Sequence, residues 1–372
     1  MPTRYPDIMP HRDNGVVAER QLERLMACLP EREAALSDLA AEVTDWAALL
    51  TSARQHGLED YLFRRLTRTG VPLPEVIREH VRLLQAHKAA WTLQLTAQMD
   101  RILDALQSAG IAAVPLKGPL LGERLYGADG FRSSSDLDVL VPYQQVHPAL
   151  AAVAALGYQT DAATLEKALA GDHNIALDNI SPPLELHFHL FRRFGVTLQA
   201  GDFLARAVTY RTQRGRLIQV LAPEDEFLFL CVHAAAHSFA RLAWLFDLKL
   251  LLHRHPAFDW ETLCRRMHDW QVTTAVIFAC ELLRQRLRVE TPLLARLTTG
   301  RRRWLHLNQR LFDQAMRRYN RPRRSLGAKL GFFLAAHLYQ SSLHDRWPSR
   351  LRFLGLTVLR TLQRRQLAPG EA

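Results

Sequence analysis

The spacing of hydrophobic positions changes twice along this 372-residue chain. Between residues 16 and 109 apolar positions recur at helical spacing, first as Val17, Leu22, Leu25 and Met26, then as Trp46, Leu49 and Leu50. From Pro74 onward Ile77, Val81, Leu84, Trp91, Leu95, Met99, Ile102 and Leu106 keep a period of about 3.6 residues, and Ala109-Gly110 closes the run. One long helix is expected there. The period then shortens: residues 111–116 favour a strand, Gly118-Pro119 opens a helix to about Tyr126, and residues 137–141 read as a second strand. Residues 183–191 alternate apolar and polar as one further strand, residues 217–221 as another, and helices are expected at about 144–156 and 164–170. Beyond Pro223, which is followed by Glu224, Asp225 and Glu226 in a dipole-favoured first turn, the pattern is helical to Arg365. The order predicts an α+β fold, with an N-terminal helical region over 1–109, an α+β core over 110–222 and a C-terminal helical domain over 223–372.

Composition supports packed domains, since 48% of residues are hydrophobic and 23% charged. The length exceeds what one core usually supports, so two or three contiguous units are expected. Cys28, Cys231, Cys264 and Cys280 lie far apart without a CxxC pair, which argues against a disulfide framework or a thiolate zinc site and for a reducing compartment. The first residues carry Pro2, Pro6 and Pro10 with no apolar run, and no long uncharged apolar stretch follows, so a cytoplasmic protein without a membrane span is expected.

Charge is uneven. The net charge is +11, yet residues 282–372 hold 20 Lys+Arg against 4 Asp+Glu, leaving the preceding residues slightly acidic. Such a block suits a polyanionic partner, whether nucleic acid, anionic membrane or phosphorylated substrate, and equally suits a solvated helical surface in a chain with 43 arginines.

Three segments carry candidate chemistry. In Ser135-Asp136-Leu137-Asp138-Val139, strand alternation puts Asp136 and Asp138 on one face. Two carboxylates side by side suit a shared divalent cation such as Mg²⁺, and also a wetted strand end. Lys117-Gly118-Pro119 places a cation and a glycine at a strand-to-helix junction, where free N–H groups favour phosphate, and Arg132 lies four residues before Asp136. In Leu184-Glu185-Leu186-His187-Phe188-His189 the polar residues share a face; Glu185 completes a carboxylate trio, or His187 and His189 bind a transition metal, or the face is simply wet. Downstream, His233, His237, Arg241, Trp244 and Asp247 follow helical steps and are expected to form one stripe lining a substrate.

Together, Leu116-Lys117-Gly118, Leu125-Tyr126, Arg132, residues 136–141, Gly157-Tyr158, Glu185-Leu186-His187, His233, His237, Trp244 and Asp247 resemble the uncharacterised bacterial nucleotidyltransferases of the NTP_transf_5 type, a branch of the DNA polymerase β-like superfamily. The resemblance covers roughly residues 40 to 290. It implies a polymerase β-like core with a small mixed sheet, in which Asp136 and Asp138 bind Mg²⁺ or Mn²⁺ and Glu185 is the third acid. The substrate would be a nucleoside triphosphate, ATP first among the candidates, transferred as its monophosphate to an unidentified acceptor: small molecule, peptide, protein or RNA end. The superfamily's Gly-Ser or Gly-Gly pair is here Gly118-Pro119, 18 positions before Asp136, and proline donates no backbone hydrogen bond. Lys117, Gly118, Arg132, Ser134 and Ser135 are therefore the expected nucleotide contacts.

Two other classes compete. A non-catalytic nucleic-acid-binding protein would use the arginines at 301–303, 317, 318, 321, 323, 324, 350, 352, 364 and 365; in the catalytic reading, a stripe of Arg303, Arg310, Arg317, Arg321 and Arg324 would border the cleft and guide an anionic acceptor. A metallohydrolase would use His187, His189, His233 and His237.

Overall fold

The computed structural model of the protein describes residues 14–127, 132–193, 196–319 and 336–346, with residues 348, 350, 351 and 353. Four helices come first: α1 (Asn14–Cys28), α2 (Leu36–Ala41), α3 (Trp46–Gln55) and α4 (Glu59–Arg68). The Asp45 carboxylate caps α3 by accepting the Ala48 N–H at 2.8 Å. The long helix α5 (Glu75–Ser108) follows Pro74 as its periodicity requires. Its two halves serve different cores: Ile77 and Val81 join the helical core, whereas Leu95, Met99, Ile102 and Leu106 pack beneath the sheet.

That sheet is small and mixed. Its strands β1 (Val114–Pro115), β2 (Leu137–Leu140), β3 (Asn174–Leu177) and β4 (Leu184–His187) lie in the order β1-β2-β4-β3. β2 and β4 run parallel, and β1 and β3 flank them antiparallel. α6 (Gly118–Tyr126) joins β1 to β2, while α7 (Val146–Ala154) and α8 (Ala162–Gly171) join β2 to β3. Alternation settles which way the sheet faces: Leu137, Val139, Leu184, Leu186 and Ile175 are buried with α5 and α7, so Asp138 and Glu185 point the other way.

Two hairpin ribbons follow, β5 (His189–Arg193) with β6 (Val196–Gln199) and, after α9 (Ala200–Leu204), β7 (Val208–Arg211) with β8 (Leu217–Val220). The chain closes with α10 (Pro223–Ala236), α11 (Leu242–Arg254), α12 (Trp260–Asp269), α13 (Thr273–Leu287), α14 (Pro292–Ala295) and α15 (Thr299–Tyr319). One apolar cluster unites α1–α4, α6 and α10–α13. At its centre Tyr61, Tyr126 and Phe246 bring their rings within 5.0 to 6.0 Å of one another. The fold is thus α+β, a small mixed sheet between helical regions.

Two expected elements differ. The strand over 183–191 is two strands in different sheets, because the His173 carbonyl accepts the N–H groups of both Phe188 and His189, at 3.0 and 3.1 Å, and β4 ends there. The single stripe-bearing helix is α10 and α11 joined by a turn, with Ser238 and Phe239 at φ of +54° and +48°. Phe239 is fully buried against Phe278, and this burial holds the turn in place. β3, β6, β7 and α9 are four or five residues long, too short to declare a period. No helix among the described residues is long and apolar enough to cross a membrane. Arg303 and Arg310 are exposed on α15. Arg321, Arg323, Arg324, Arg352, Arg364 and Arg365 lie outside the described residues, as does the side chain of Arg317.

A buried ion pair clamps α6 to α10: Arg124 donates to both Glu226 oxygens, at 2.6 and 3.0 Å. Glu226→Ala leaves a buried guanidinium unpaired and should destabilise the fold by about 3–5 kcal/mol, measurable by urea unfolding; a loss under about 1 kcal/mol would mean the pair is dispensable. His344 gives a pH signature. Burial holds its imidazole down at about 4, so the unfolded chain binds the extra proton first and stability declines as pH falls from about 6.5 to 4. In His344→Gln that part of the acid slope should flatten in thermal melts taken across the same interval.

Candidate active site

Asp138 is the centre of the site and is fully buried. It lies on β2 in register with Glu185 on β4, and parallel pairing sets the two carboxylates beside each other on the face away from α5. Its Oδ1 receives the Lys117 ammonium at 2.9 Å and faces His187 Nε2 at 3.1 Å. Burial alone would raise the Asp138 pKa, but the Lys117 charge and the His187 hydrogen bond outweigh it and hold the carboxyl ionised, far below the usual range. Its other oxygen, Oδ2, is buried without a hydrogen-bond partner.

Asp136, two residues earlier, lines the open cleft. Burial and then the negative charge of Asp138 push its pKa up, against the opposing charges of Lys117 and Arg132. Glu185 is half-buried, and Asn174 Nδ2 donates to its Oε2 at 2.8 Å. The same oxygen is 3.4 Å from His187 Nε2. Burial tends to lower His187, while the hydrogen bonds to Asp138 and Glu185 raise it and prevail. Asp138, Glu185 and His187 can each offer one ligand atom within 4.8 Å of the others. An oxygen-rich set with an orphaned buried carboxylate oxygen fits a divalent cation.

Lys117 reaches this point because it immediately precedes α6. Gly118 adopts φ +74°, a left-handed conformation that glycine takes without strain, and a Cβ there would stand 3.5 Å from the Asp136 carbonyl. Gly122 lets α6 approach the Arg132 segment, where a Cβ would come within 3.2 Å of Arg132 Cβ. The loop before β2 is tied from several sides. Ser134 Oγ donates to the Asp136 carbonyl at 3.0 Å, Trp91 Nε1 donates to the Ser134 carbonyl at 2.9 Å, and Lys88 donates to Ser133 Oγ while pairing with Glu59.

The cleft between the sheet and α10–α11 has a volume of about 530 Å³. Lys117, Arg132, Ser134, Ser135, Asp136, Glu185 and His187 line one side, and His233, His237, Arg241 and Trp244 the other. The rings of His233, His237 and Trp244 form a wall with centroids 4.7 to 5.6 Å apart. Burial, then the nearby Lys117 charge, hold His233 well below its ordinary pKa, so this ring is neutral.

Gly118 and Asp138 are buried just behind the cleft lining, and two further expected residues stand elsewhere. His189 is on β5, stacked on Tyr143 at 5.1 Å with 10° between the rings, and does not line the cleft. Asp247 is fully buried behind the wall, where it binds Arg132 Nε and the Tyr126 hydroxyl, the latter at 2.8 Å. It therefore positions Arg132 rather than facing a substrate, and Arg132 reaches the cleft already ion-paired. No described residue of α15 lines the cleft. Trp91, Lys88, His173, Asn174 and Phe229 escaped the sequence reading; Trp91 read as one more apolar position of α5, and His173 and Asn174 flank or begin a strand too short to recognise.

Residues 42–288 match the family NTP_transf_5, described as uncharacterised nucleotidyltransferase, and the chain belongs to that family. No curated protein matches it. Among solved structures it is similar to the antibiotic-resistance factor ANT(2'')-Ia, at 15% identity over 48% of this chain and 97% of that one, with a TM-score of 0.30.

Gly118→Ala should lower stability by about 1–2 kcal/mol through its left-handed backbone, whereas Gly171→Ala, where a Cβ meets open space, should be neutral or stabilising by up to about 1 kcal/mol. Equal melting shifts for the two would remove the assigned strain at Gly118.

Proposed function

We propose that the protein is a divalent-metal-dependent nucleotidyltransferase that moves a nucleoside monophosphate from an NTP, with ATP first among the candidates, to a separate acceptor. The observation that carries this reading is the register of Asp138 with Glu185 on parallel strands, with Asp136 on the adjacent loop lining the same cleft as Lys117 and Arg132. Membership of a nucleotidyltransferase family supports it.

Asp136, Asp138 and Glu185 would hold Mg²⁺ or Mn²⁺, which when bound supplies positive charge to the triphosphate and lowers the pKa of the acceptor group. The chain's own residues do the rest. Lys117, immediately before α6 and lining the cleft, offers positive charge to the phosphates. Arg132 adds a guanidinium whose direction is locked by Asp247. Ser135 lines the cleft beside them as a hydrogen-bond donor, while the Ser134 hydroxyl holds the Asp136 carbonyl. The ring wall of His233, His237 and Trp244 excludes water and offers flat surface to a base or an acceptor. In the transfer, an acceptor oxygen or nitrogen bonds to the α-phosphorus, its proton leaves to solvent or a nearby carboxylate, and the bond to pyrophosphate breaks.

Arg301, Arg302 and Arg303 remain candidates for drawing in an anionic acceptor from α15, outside the cleft. A site built on four histidines is less well supported, since His189 is turned onto Tyr143.

The test is incubation with each labelled NTP, Mg²⁺ or Mn²⁺ and a cell extract, with mass spectrometry of whatever gains a nucleotide mass. The unaltered protein should label an acceptor and release pyrophosphate, and Asp138→Asn should lower the rate at least about 10²-fold. Full labelling by that variant would place the chemistry elsewhere.

A further inference from the structure

We infer that His187 is itself a ligand of the divalent cation, through Nε2, so that an imidazole joins the carboxylates of the centre, which prefers Mn²⁺ to Mg²⁺. This rests on the reading of the cleft as a metal-dependent transfer site and adds to it the identity of a ligand and of the preferred ion.

Distances carry the inference. His187 Nε2 lies 3.1 Å from Asp138 Oδ1 and 3.4 Å from Glu185 Oε2. Two adjacent ligands on an octahedral ion with bonds of about 2.1 Å stand about 3.0 Å apart. Nε2 is therefore spaced from each carboxylate as an adjacent ligand would be, and the ligand atoms of the three residues all lie within 4.8 Å of one another. An imidazole that only supported a carboxylate from behind would touch one oxygen of one residue; this one faces both acids at once.

Strand geometry explains why. Glu185 and His187 are alternate residues of β4, so both project from the same face, and Asp138 is the register partner of Glu185 on β2. Neither Asp138 nor His187 can reorient freely, at 0% and 3% exposure. The Lys117 contact at Oδ1 does not exhaust the Asp138 carboxylate, whose buried Oδ2 has no hydrogen-bond partner. A buried oxygen of an ionised carboxylate left bare beside an imidazole and a second acid is an independent sign of a missing cation.

Ligand chemistry then separates Mn²⁺ from Mg²⁺. Mg²⁺ takes oxygen ligands and retains several waters, whereas an imidazole nitrogen favours first-row transition metals, and Mn²⁺ is one of those that accept carboxylate-rich sets.

The experiment adds Mn²⁺ alone to the full chain and reads electron spin-echo modulation and binding affinity. Modulation from a coordinated nitrogen is expected in the unaltered protein, changing to the ¹⁵N pattern after ¹⁵N-histidine labelling and vanishing in His187→Gln. Mn²⁺ should bind at least about 10-fold more tightly than Mg²⁺, and His187→Gln should weaken Mn²⁺ about 10-fold with less effect on Mg²⁺. The labelling arm uses the native sequence, so it decides the point even if the variant does not fold. Bound Mn²⁺ without nitrogen modulation, or modulation that persists in a folded His187→Gln, overturns the role of His187 and leaves the transfer reading standing. Absence of any Mn²⁺ binding overturns both.

Discussion

The constraint on which the site depends is an ionised carboxylate with no exposure to water. Asp138 sits at the centre of a four-stranded sheet, and a buried charge is tolerated only where opposite charge and hydrogen bonds replace the lost hydration. Those replacements come from two directions. Lys117 arrives from the β1–α6 junction, and His187 from the neighbouring parallel strand. Both must arrive together, so the parallel pairing of β2 with β4 and the left-handed Gly118 are parts of one requirement. The partners still leave Oδ2 without a hydrogen-bond partner, so the Asp138 carboxylate is not closed off as a structural ion pair.

A second buried carboxylate organises the opposite wall. Asp247, on α11, holds Arg132 from the loop before β2 and Tyr126 from the end of α6. It thereby joins the helical region to the sheet at the mouth of the cleft. Trp91 and Lys88 secure the same loop from α5. The serines that line the cleft consequently rest on a backbone fixed by three helices. Such a loop can present donors to a phosphate with little further ordering, which favours a reaction that depends mainly on placement and electrostatics.

Arginine serves two separate purposes in this chain. Arg124, Arg132, Arg206 and Arg266 are paired with buried carboxylates that tie elements together. Arg301, Arg302 and Arg303 lie on the exposed side of α15, away from the cleft. A count of basic residues merges these groups, and burial is what separates them.

The sequence by itself determined the elements whose signal is local. The long α5 was legible because its apolar period persists over many turns, α6 because Gly-Pro opens it, and β2 because a β-branched and leucine run follows the Asp-x-Asp pair. Asp138 and Glu185 were legible as candidates from residue type and strand alternation, Asp136 from its place two residues before Asp138, and Lys117 from its place at a strand-to-helix junction. Tertiary structure alone decided the rest. It divided 183–191 at Phe188, since the His173 carbonyl that ends β4 comes from a distant segment, and so separated His189 from His187. It broke the expected stripe by burying Phe239 in a left-handed turn, yet returned His233, His237, Arg241 and Trp244 to one wall. It also moved Asp247 from the cleft to the back of Arg132. Periodicity reports the direction of a side chain within its own element, whereas the partner it meets depends on how elements distant in sequence pack together.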